Sequence, residues 1–272
     1  MRSTPIRLLA IAGATALLFA ACGDDDDTSS GDTTTTAGDG ETVEAPAGLV
    51  EDGKLTACSD TPYEPFEMKD DDGNDTGFDM DLMAAVGARA DLELAVIDLP
   101  FEGILGALAA GQCDVVASAV SIKPERAEEV DFTEPYFDSA QSLLIKTDNE
   151  DITGIADLDG KNVGVQSTTT GETYAKENVE GATITSFEDS DGLFAALESG
   201  TIDAILQDLP VNGYRSAQDP SVTVIETFPT EEQYGFAVEK GNAEMLAFLN
   251  DGLEALHDDG TYDELFATYF GS

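Results

Sequence analysis

The feature that most limits what this chain can fold into is a repeated alternation of short apolar runs with helical patterns. In the first set, apolar runs at residues 55–58, 92–97 and 113–118 alternate with helical patterns at 77–90 and 101–110. Strands and helices that alternate at this spacing form a parallel sheet with right-handed crossover connections. The sequence therefore predicts an α/β unit in this part of the chain.

A second set of the same kind follows the first. Its predicted elements are strands at 142–146, 161–165, 183–185 and 202–206, and helices at 171–177 and 190–199. A last strand at 234–238 and amphipathic helices at 242–257 and 262–270 end the sequence. Two similar sets within 272 residues predict two lobes, each a mainly parallel sheet flanked by helices.

The first 48 residues differ in composition from the rest. Arg2 and Arg7 precede an apolar run at 8–19, and small residues then lead to Cys22, which is the order of a secretory signal. Residues 1–22 are predicted to be a signal peptide with a lipobox, lipidated at Cys22; an ordinary signal peptide with an incidental cysteine is the alternative. Residues 23–48 hold almost no aliphatic side chains, so they are predicted to be a disordered acidic tether.

The charge balance restricts the possible ligands. The chain has 12 Lys and Arg against 56 Asp and Glu, a formal net charge of −44, which excludes nucleic acid as a partner. An anionic ligand then needs a cation of its own. Arg126 is the candidate, because it follows an apolar strand that leads into Ser118 and Ser121. An exposed arginine paired with Glu128 or Glu129 is the alternative.

The remaining polar residues indicate neither a metal nor a cofactor. His257 is the single histidine and lies away from every predicted strand end, which argues against hydrolase triads and zinc sites. Residues 70–75 look like a calcium loop, but Asp75 stands where that loop needs glycine, so a hairpin turn is predicted. Cys58 and Cys113 lie in strands of the same half, where a disulfide and two buried thiols remain equally open.

Several ordered segments between about residues 54 and 270 resemble one known family. They are Asp60-Thr61-Pro62-Tyr63-Glu64-Pro65-Phe66, Gly77-Phe78-Asp79-Met80-Asp81-Leu82 with Val86, Gly87 and Ala90, Ser121-Ile122 through Arg126, Val130-Asp131-Phe132-Thr133, Gln207-Asp208 and Gly260-Thr261-Tyr262. Together they resemble the family 3 extracellular solute-binding proteins, the amino-acid receptors of bacterial ABC transporters.

The resemblance implies a fold and a function. It implies the two-lobed type II periplasmic binding protein-like fold, with lobe 1 at 49–138 and 235–272, lobe 2 at 139–234, and two crossing segments near the boundaries. It also implies a monomeric receptor that captures a polar amino acid by lobe closure and delivers it to the membrane subunits of an ABC importer. The lipid anchor then holds the receptor extracytoplasmically, at the outer face of the cell membrane or in the periplasm.

The same resemblance implies how the ligand α-carboxylate is bound. Arg126 clamps the carboxylate with help from Thr170 and from the segment that holds Ser118 and Ala119. Ala119 stands where some relatives have a second serine, which removes one hydroxyl. Thr168, in the loop before Thr170, stands where relatives usually have glycine, so the geometry of that anion-binding loop departs from the family pattern.

The other end of the ligand is assigned in the same way. The resemblance implies that Asp208 and Ser121 accept from the α-ammonium, that Tyr63 and Phe101 enclose the aliphatic side chain, and that Asp60 faces its tip. A zwitterion needs a forked donor at one end and an acceptor at the other, which agrees with this arrangement. Asp208 as a helix cap, and the two aromatic residues as plain core, are the alternatives.

The specificity and the class of protein leave further alternatives open. Asp60 and Asp79 favour a basic or amide-bearing side chain over an acidic one, because an uncompensated carboxylate in a closed cleft is costly. Arginine, lysine, histidine and glutamine remain possible, as do cystine-like and opine ligands. The competing functions are an enzyme on the same scaffold, such as a cyclohexadienyl dehydratase-like lyase, and an adhesion or structural lipoprotein.

Overall fold

The computed structural model describes residues 43–271. The strands are β1 (Lys54–Ser59), β2 (Met68–Lys69), β3 (Asp75–Thr76), β4 (Glu93–Asp98), β5 (Val115–Val116), β6 (Val130–Phe132), β7 (Phe137–Lys146), β8 (Asn162–Gln166), β9 (Thr183–Phe187), β10 (Ala204–Asp208), β11 (Val222–Tyr234) and β12 (Ala237–Glu239). The α-helices are α1 (Phe78–Ala88), α2 (Ile104–Ala109), α3 (Pro124–Ala127), α4 (Thr170–Asn178), α5 (Ser190–Ser199), α6 (Leu209–Gln218), α7 (Ala243–Asp259) and α8 (Thr261–Phe270), with a 3-10 turn at Ile155–Asp157.

The first lobe is built on a five-stranded sheet with the order β4-β1-β5-β12-β6. β1 is parallel to β4 and β5, whereas β12 is antiparallel to β5 and β6. Helices α1, α7 and α8 pack against one another beside this sheet. The apolar stripe predicted on the long helix is buried there, at Met245, Leu249, Leu253 and Leu256.

The second lobe is built on a sheet with the order β11-β7-β10-β8-β9. β8 is parallel to β9 and β10, whereas β7 is antiparallel to β10 and β11. Each sheet is therefore mixed, with parallel strands in the βα repeats and antiparallel strands where the chain crosses or returns. Apolar clusters lie on both faces of this second sheet, one around Val163 and Leu206 and the other around Leu193 and Ile205.

Two strands, β7 and β11, connect the lobes. They pair from Phe137 opposite Tyr234 to Lys146 opposite Val222, with irregular register between Phe228 and Glu232. Both strands lie where crossing segments are expected from the sequence, near the two ends of the second lobe. The exact boundaries of the lobes stay a prediction.

The start of α1 shows why the sequence has glycine at the head of its most recognisable segment. Gly77 has a φ of +120°, and a Cβ at this position would lie 2.3 Å from the carbonyl oxygen of Phe66. Only glycine fits this close approach of two backbone segments. The contact holds the loop that carries Tyr63 against the helix that carries Asp79.

Residues 43–48, the last six of the predicted tether, make contacts with the first lobe. Val43 N–H donates to the Arg89 carbonyl at 3.0 Å, Ala47 N–H donates to Glu244 at 2.8 Å, and Pro46 is buried. The tether prediction for 23–48 is therefore wrong at its last six residues, because their backbone finds partners on the first lobe. The predicted signal peptide, Cys22 and the rest of the tether lie outside the described residues.

Two local predictions are settled by positive observations. Residues 70–74 form the turn of the β2–β3 hairpin and Asp75 begins β3; in this turn Asp70 accepts from the backbone of Asp72 and Asn74. Cys58 and Cys113 form a disulfide with their Cα atoms 5.7 Å apart. Among residues 43–271, no helix combines the length and the apolar composition that crossing a bilayer requires.

Candidate functional site

A small cavity lies between the lobes, where the carboxyl ends of several strands meet. It is lined by Asp60, Tyr63, Phe101, Ser118, Ala119, Ser121, Arg126, Gln166, Thr169, Thr170 and Asp208. Nine of the ten residues predicted to bind ligand are in this set, and Thr168 is the exception. Parallel strands bring the residues that follow them to one edge of a sheet, which explains why distant segments converge here.

Arg126 faces this cavity and lies at the end of the short helix α3. Its guanidinium carbon is 5.2 Å from the centre of the Phe101 ring, and its Nη1 and Nη2 donate to the carbonyls of Ser121 and Thr168 at 3.0 and 3.1 Å. Burial lowers the pKa of Arg126, and the nearby charges of Asp208 and Glu232 oppose this change. The guanidinium is thus held in the cleft, and the alternative of an exposed pair with a neighbouring glutamate is wrong.

Asp208 lies across the cavity and is 5% exposed. Its carboxylate accepts hydrogen bonds from Tyr63 Oη at 2.9 Å, from Tyr234 Oη and from Gln141 Nε2. Burial raises the pKa of Asp208 to about 6, and the charge of Glu232 adds to the rise, whereas the three donors lower it. Although Asp208 stands at the start of α6, its side chain makes no capping bond, so the alternative of a helix cap is wrong.

The two serines of the site have their hydroxyl hydrogens committed. Ser118 Oγ donates to Glu67 at 2.7 Å and accepts from the Asp60 N–H at 3.0 Å. Ser121 Oγ donates to Glu232 at 2.8 Å. Because a hydroxyl has a single hydrogen, both serines can offer only lone pairs to a ligand. The hydroxyl of Ser118 therefore gives its hydrogen to Glu67 and has none left to donate to a ligand carboxylate.

Asp60 lies at the other end of the cavity, next to a residue that the sequence analysis did not select. Gln166 Nε2 donates to Asp60 Oδ2 at 2.6 Å and to the Glu188 carbonyl at 3.2 Å. Burial raises the pKa of Asp60 to about 6, although the bond from Gln166 lowers it. Gln166 ends β8, so the rule that ligand residues follow strands was the signal that could have identified it.

The loop before α4 explains the exclusion of Thr168 from the cavity. Thr168 has a φ of +62°, and its exposed side chain lies in an outer groove with Lys123 and Glu129. Thr169, which the sequence analysis did not select, lines the cavity and accepts from the Glu172 N–H at 3.2 Å as the helix cap. The predicted side-chain contact of Thr168 with the ligand is not supported by this geometry, although its carbonyl accepts from Arg126.

Replacing Thr168 and Thr169 separately by glycine should change stability in opposite directions. A left-handed φ is costly for a β-branched residue, so Thr168→Gly should raise the free energy of unfolding by about 0.5–1 kcal/mol. Thr169→Gly removes a capping side chain and adds backbone entropy, so it should lower that free energy by about 1 kcal/mol. Urea unfolding of the two variants and the wild type measures both effects; a loss of stability in Thr168→Gly would contradict the assignment.

Two fully buried carboxyl groups lie behind the cavity wall. Asp79 accepts from Tyr136 Oη at 2.6 Å and from the Ala119 N–H at 2.8 Å, which holds Ala119 at a φ of +45°. Glu67 accepts from Ser118, and its second oxygen is buried without a partner. Burial raises the pKa of Asp79 to about 7 and raises that of Glu67 well above its usual range.

These raised pKa values predict how stability depends on pH. A carboxyl group with a raised pKa binds its proton more tightly in the folded state, so its contribution is present below pH 4 and is lost as the pH rises through 6–7. The free energy of unfolding without ligand should therefore fall between pH 5 and pH 8. Asp79→Asn should remove about 2 kcal/mol of this fall, as measured by urea unfolding in 0.5 M salt.

The matched control for this measurement is Asp71→Asn. Asp71 is exposed in the β2–β3 turn, so its replacement makes the same change in formal charge away from the buried carboxyl groups. We expect Asp71→Asn to keep the wild-type slope of stability against pH. Equal slopes for Asp79→Asn and the wild type would contradict the prediction.

Within residues 43–271, no group of three or more His, Cys, Asp and Glu side chains is arranged to hold a metal ion. His257 is exposed and stacks on Tyr262 with ring centres 3.9 Å apart, on the last two helices. The chemistry available in the cavity is that of one guanidinium, a helix start, two carboxyl groups and two aromatic rings.

Comparisons with known proteins show the family to which this chain belongs. The family model of bacterial extracellular solute-binding proteins, family 3, matches residues 55–272. A protein named probable histidine-binding protein, from Neisseria gonorrhoeae, is 31% identical over 270 residues, covering 97% of this chain and 94% of that protein. The solved structure of an ancestral arginine-binding protein bound to glutamine is 36% identical with a TM-score of 0.77, covering 82% of this chain and 100% of that chain.

A further solved structure bears on the enzyme alternative. It is the crystal structure of an ancestral amino acid-binding protein that is a precursor of cyclohexadienyl dehydratase, and it is 38% identical with a TM-score of 0.76, covering 80% of this chain and 96% of that chain. These relatives are named as binding proteins and not as enzymes. The predicted two-lobed α/β fold class is confirmed by the same structures. This chain belongs to the bacterial extracellular solute-binding proteins, family 3.

Proposed function

We propose that this protein is an extracytoplasmic receptor that captures a polar amino acid between its lobes for an ABC importer. The observation that carries the proposal is a forked cation, Arg126, and a buried carboxylate, Asp208, in the wall of one cavity. This pair matches the two charges of an α-amino acid, and it occurs in a chain whose charge of −44 otherwise repels carboxylates.

Each end of the zwitterion has donors or acceptors of the required kind. At the carboxylate end, Arg126 is joined by Thr170, whose hydroxyl accepts from Gln141 at 3.2 Å and so keeps its own hydrogen to donate. The start of α4 adds backbone N–H groups and the positive end of a helix. At the ammonium end, Asp208 and the lone pairs of Ser121 accept. Tyr63 and Phe101 provide apolar surfaces for the aliphatic part of the ligand.

Ligand binding favours closure because the site is divided between the lobes. Three side chains of the first lobe contact the second lobe. The Tyr63 hydroxyl lies 2.9 Å from Asp208, and the Asp60 carboxylate lies 2.6 Å from Gln166. The Arg126 guanidinium lies 3.1 Å from the Thr168 carbonyl. A ligand that touches both faces binds fully only when they are together, so it shifts the open–closed equilibrium. The membrane subunits of the importer then recognise the closed form.

The side-chain end of the cavity favours a basic or amide-bearing ligand. Asp60 offers a carboxylate and Gln166 offers an amide, and Asp98 and Asp189 add negative charge nearby. An acidic side chain would bury a second carboxylate beside these groups without a cation, which is costly. Attachment to the membrane through a lipid on Cys22 completes the proposal and matches the signal-like N terminus.

A thermal-shift screen of the common amino acids tests the proposal. A ligand at a hundred times its dissociation constant stabilises by about 2.7 kcal/mol, which corresponds to a Tm rise of roughly 5–10 °C for a domain of this size. We expect the rise with basic or amide amino acids and not with aspartate or glutamate. The absence of a shift with every amino acid would overturn the proposal and favour an adhesin. Mass spectrometry of the bound ligand after incubation should recover it unchanged; turnover would favour the lyase.

A further inference from the structure

Glu232 is a buried acid in the crossing strand β11, directly behind Ser121, which lines the cavity. Glu232 is 4% exposed, and it follows the irregular register of β11, where Glu231 has a φ of +51°. It does not line the cavity itself. Its position at the junction of both lobes and both crossing strands makes its contacts informative.

Glu232 binds three groups that surround the ammonium end of the site. Its Oε2 accepts from Ser121 Oγ at 2.8 Å, and its Oε1 lies 3.9 Å from Lys123 Nζ and 3.3 Å from Gln141 Nε2, which shares its two hydrogens among Glu232, Asp208 and Thr170. Gln141 also donates to Asp208. Glu232 therefore fixes the direction of the hydroxyl and amide groups next to the acceptor of the ligand amine.

The direction of the Ser121 hydroxyl decides what that residue can bind. With its hydrogen on Glu232, Ser121 turns lone pairs toward the cavity and accepts from a donor. If the hydrogen were free, the same hydroxyl could donate to an anionic or carbonyl oxygen in place of an amine. A carboxylate outside the cavity thus controls the polarity of a group inside it.

Resting on the proposed function, we propose that Glu232 is a positioning residue that makes this end of the cleft selective for a protonated amine. It acts through Ser121 and Gln141 and does not touch the ligand. The ligands it favours carry an α-ammonium, and those it disfavours are α-hydroxy, α-keto or N-acyl acids with the same side chain.

The charge of Glu232 also affects how ligand affinity depends on pH, because it raises the pKa of Asp208. Ligand affinity should fall as the pH decreases through the pKa of Asp208, near 6, because the protonated acid no longer attracts an ammonium. Glu232 contributes to raising that pKa, whereas Tyr63, Tyr234 and Gln141 lower it through hydrogen bonds. The cations near Glu232 are Lys123 and Arg126. Asp60 also titrates near pH 6, but its charged neighbours are Asp98 and Asp189.

The test compares Glu232→Gln with Glu231→Gln by calorimetry, using the best amino acid of the screen and its α-hydroxy analogue. Glu231 is adjacent and exposed, so it gives the same loss of charge without the contacts. In Glu232→Gln, the single amide oxygen can accept from Ser121 or from Gln141 but not from both. Amino acid affinity at pH 7.5 should therefore fall about tenfold or more. The α-hydroxy analogue should lose less, and the acid-side midpoint of amino acid binding should move to lower pH. Glu231→Gln should match the wild type in amino acid affinity, in affinity for the α-hydroxy analogue and in the acid-side midpoint.

A double-mutant cycle separates positioning from general damage. If Glu232 acts through Ser121, then Ser121→Ala together with Glu232→Gln should cost less affinity than the product of the two single losses. Three results would each overturn the inference. They are an affinity loss in the double variant equal to the product of the single losses, equal affinity losses for the amino acid and its α-hydroxy analogue, and an unchanged pH midpoint of amino acid binding in Glu232→Gln. Wild-type protein that binds no amino acid would instead overturn the proposed function, so the two failures are distinguishable.

Discussion

Replacing Arg126 by alanine should weaken amino acid binding by about a hundredfold or more. The guanidinium is oriented by two carbonyls and the Phe101 ring, so it can give two charge-assisted hydrogen bonds to the ligand carboxylate without reorganising. Losing both bonds costs roughly 3 kcal/mol or more, which is the stated factor in affinity. Titration calorimetry with the amino acid identified by the screen measures the change.

Two control variants make this result specific. Arg126→Lys keeps the charge but loses the fork, so its affinity should lie between those of the alanine variant and the wild type. Arg215→Ala removes another arginine that lies over a ring, 5.1 Å from the centre of Phe194, at a different surface of the second lobe. Its affinity should equal that of the wild type. Binding by Arg126→Ala as tight as wild-type binding would show that the carboxylate is held elsewhere.

Removing the disulfide between Cys58 and Cys113 should cause the largest loss of stability among the changes considered. The bond closes a loop of 55 residues, and a closed loop of that length restricts the unfolded chain by about 4 kcal/mol in the chain-entropy model. The double variant Cys58→Ala with Cys113→Ala should therefore unfold at a Tm lower by roughly 8–16 °C. Calorimetric scans at one protein concentration measure the difference.

The wild type supplies its own control for the disulfide. Dithiothreitol should lower the Tm of the wild type toward that of the double variant, and it should leave the variant unchanged. Both sulfurs lie in an apolar cluster with Ile104, Leu108 and Val116, and neither cysteine lines the cavity, so ligand affinity below the unfolding temperature should be retained. A wild type that is insensitive to the reductant under conditions that reduce the bond would contradict the prediction.

The sequence was sufficient for the βα repeats and insufficient for the strands that connect them. The repeats carry local apolar periodicity, and every predicted helix is present with small shifts at its ends. β11 was missed over most of its length because it contains Pro229, Glu231 and Glu232 and pairs only with β7, at the edge of its sheet. α6 was missed because Pro210 and Gly213 are typical of loops, although Pro210 occupies a first-turn position that suits proline.

The site residues that could be predicted are those that come at or shortly after the end of a predicted strand. Arg126, Asp208 and Asp60 are found by that rule and by the resemblance together. Thr169 lines the cavity and Thr168 does not, because Thr168 has a left-handed φ that turns the chain at that residue. The sequence does not specify which residue takes this conformation. Glu232 could not be predicted, because its importance comes from hydrogen bonds to groups 91 and 111 residues away in the chain.

The strand order of the first sheet restricts the order in which the molecule can assemble. β12, residues Ala237–Glu239, lies between β5 and β6, which are made more than a hundred residues earlier. Lobe 2 is continuous in the chain between these points, so it can complete its sheet while the first lobe still lacks a strand. Whenever the polypeptide emerges N-terminus first, from a ribosome or through a translocation pore, lobe 1 stays open until β12 has emerged. The first lobe's share of the cavity wall is therefore completed last, so a ligand that contacts both lobes can be held only after β12 has joined its sheet.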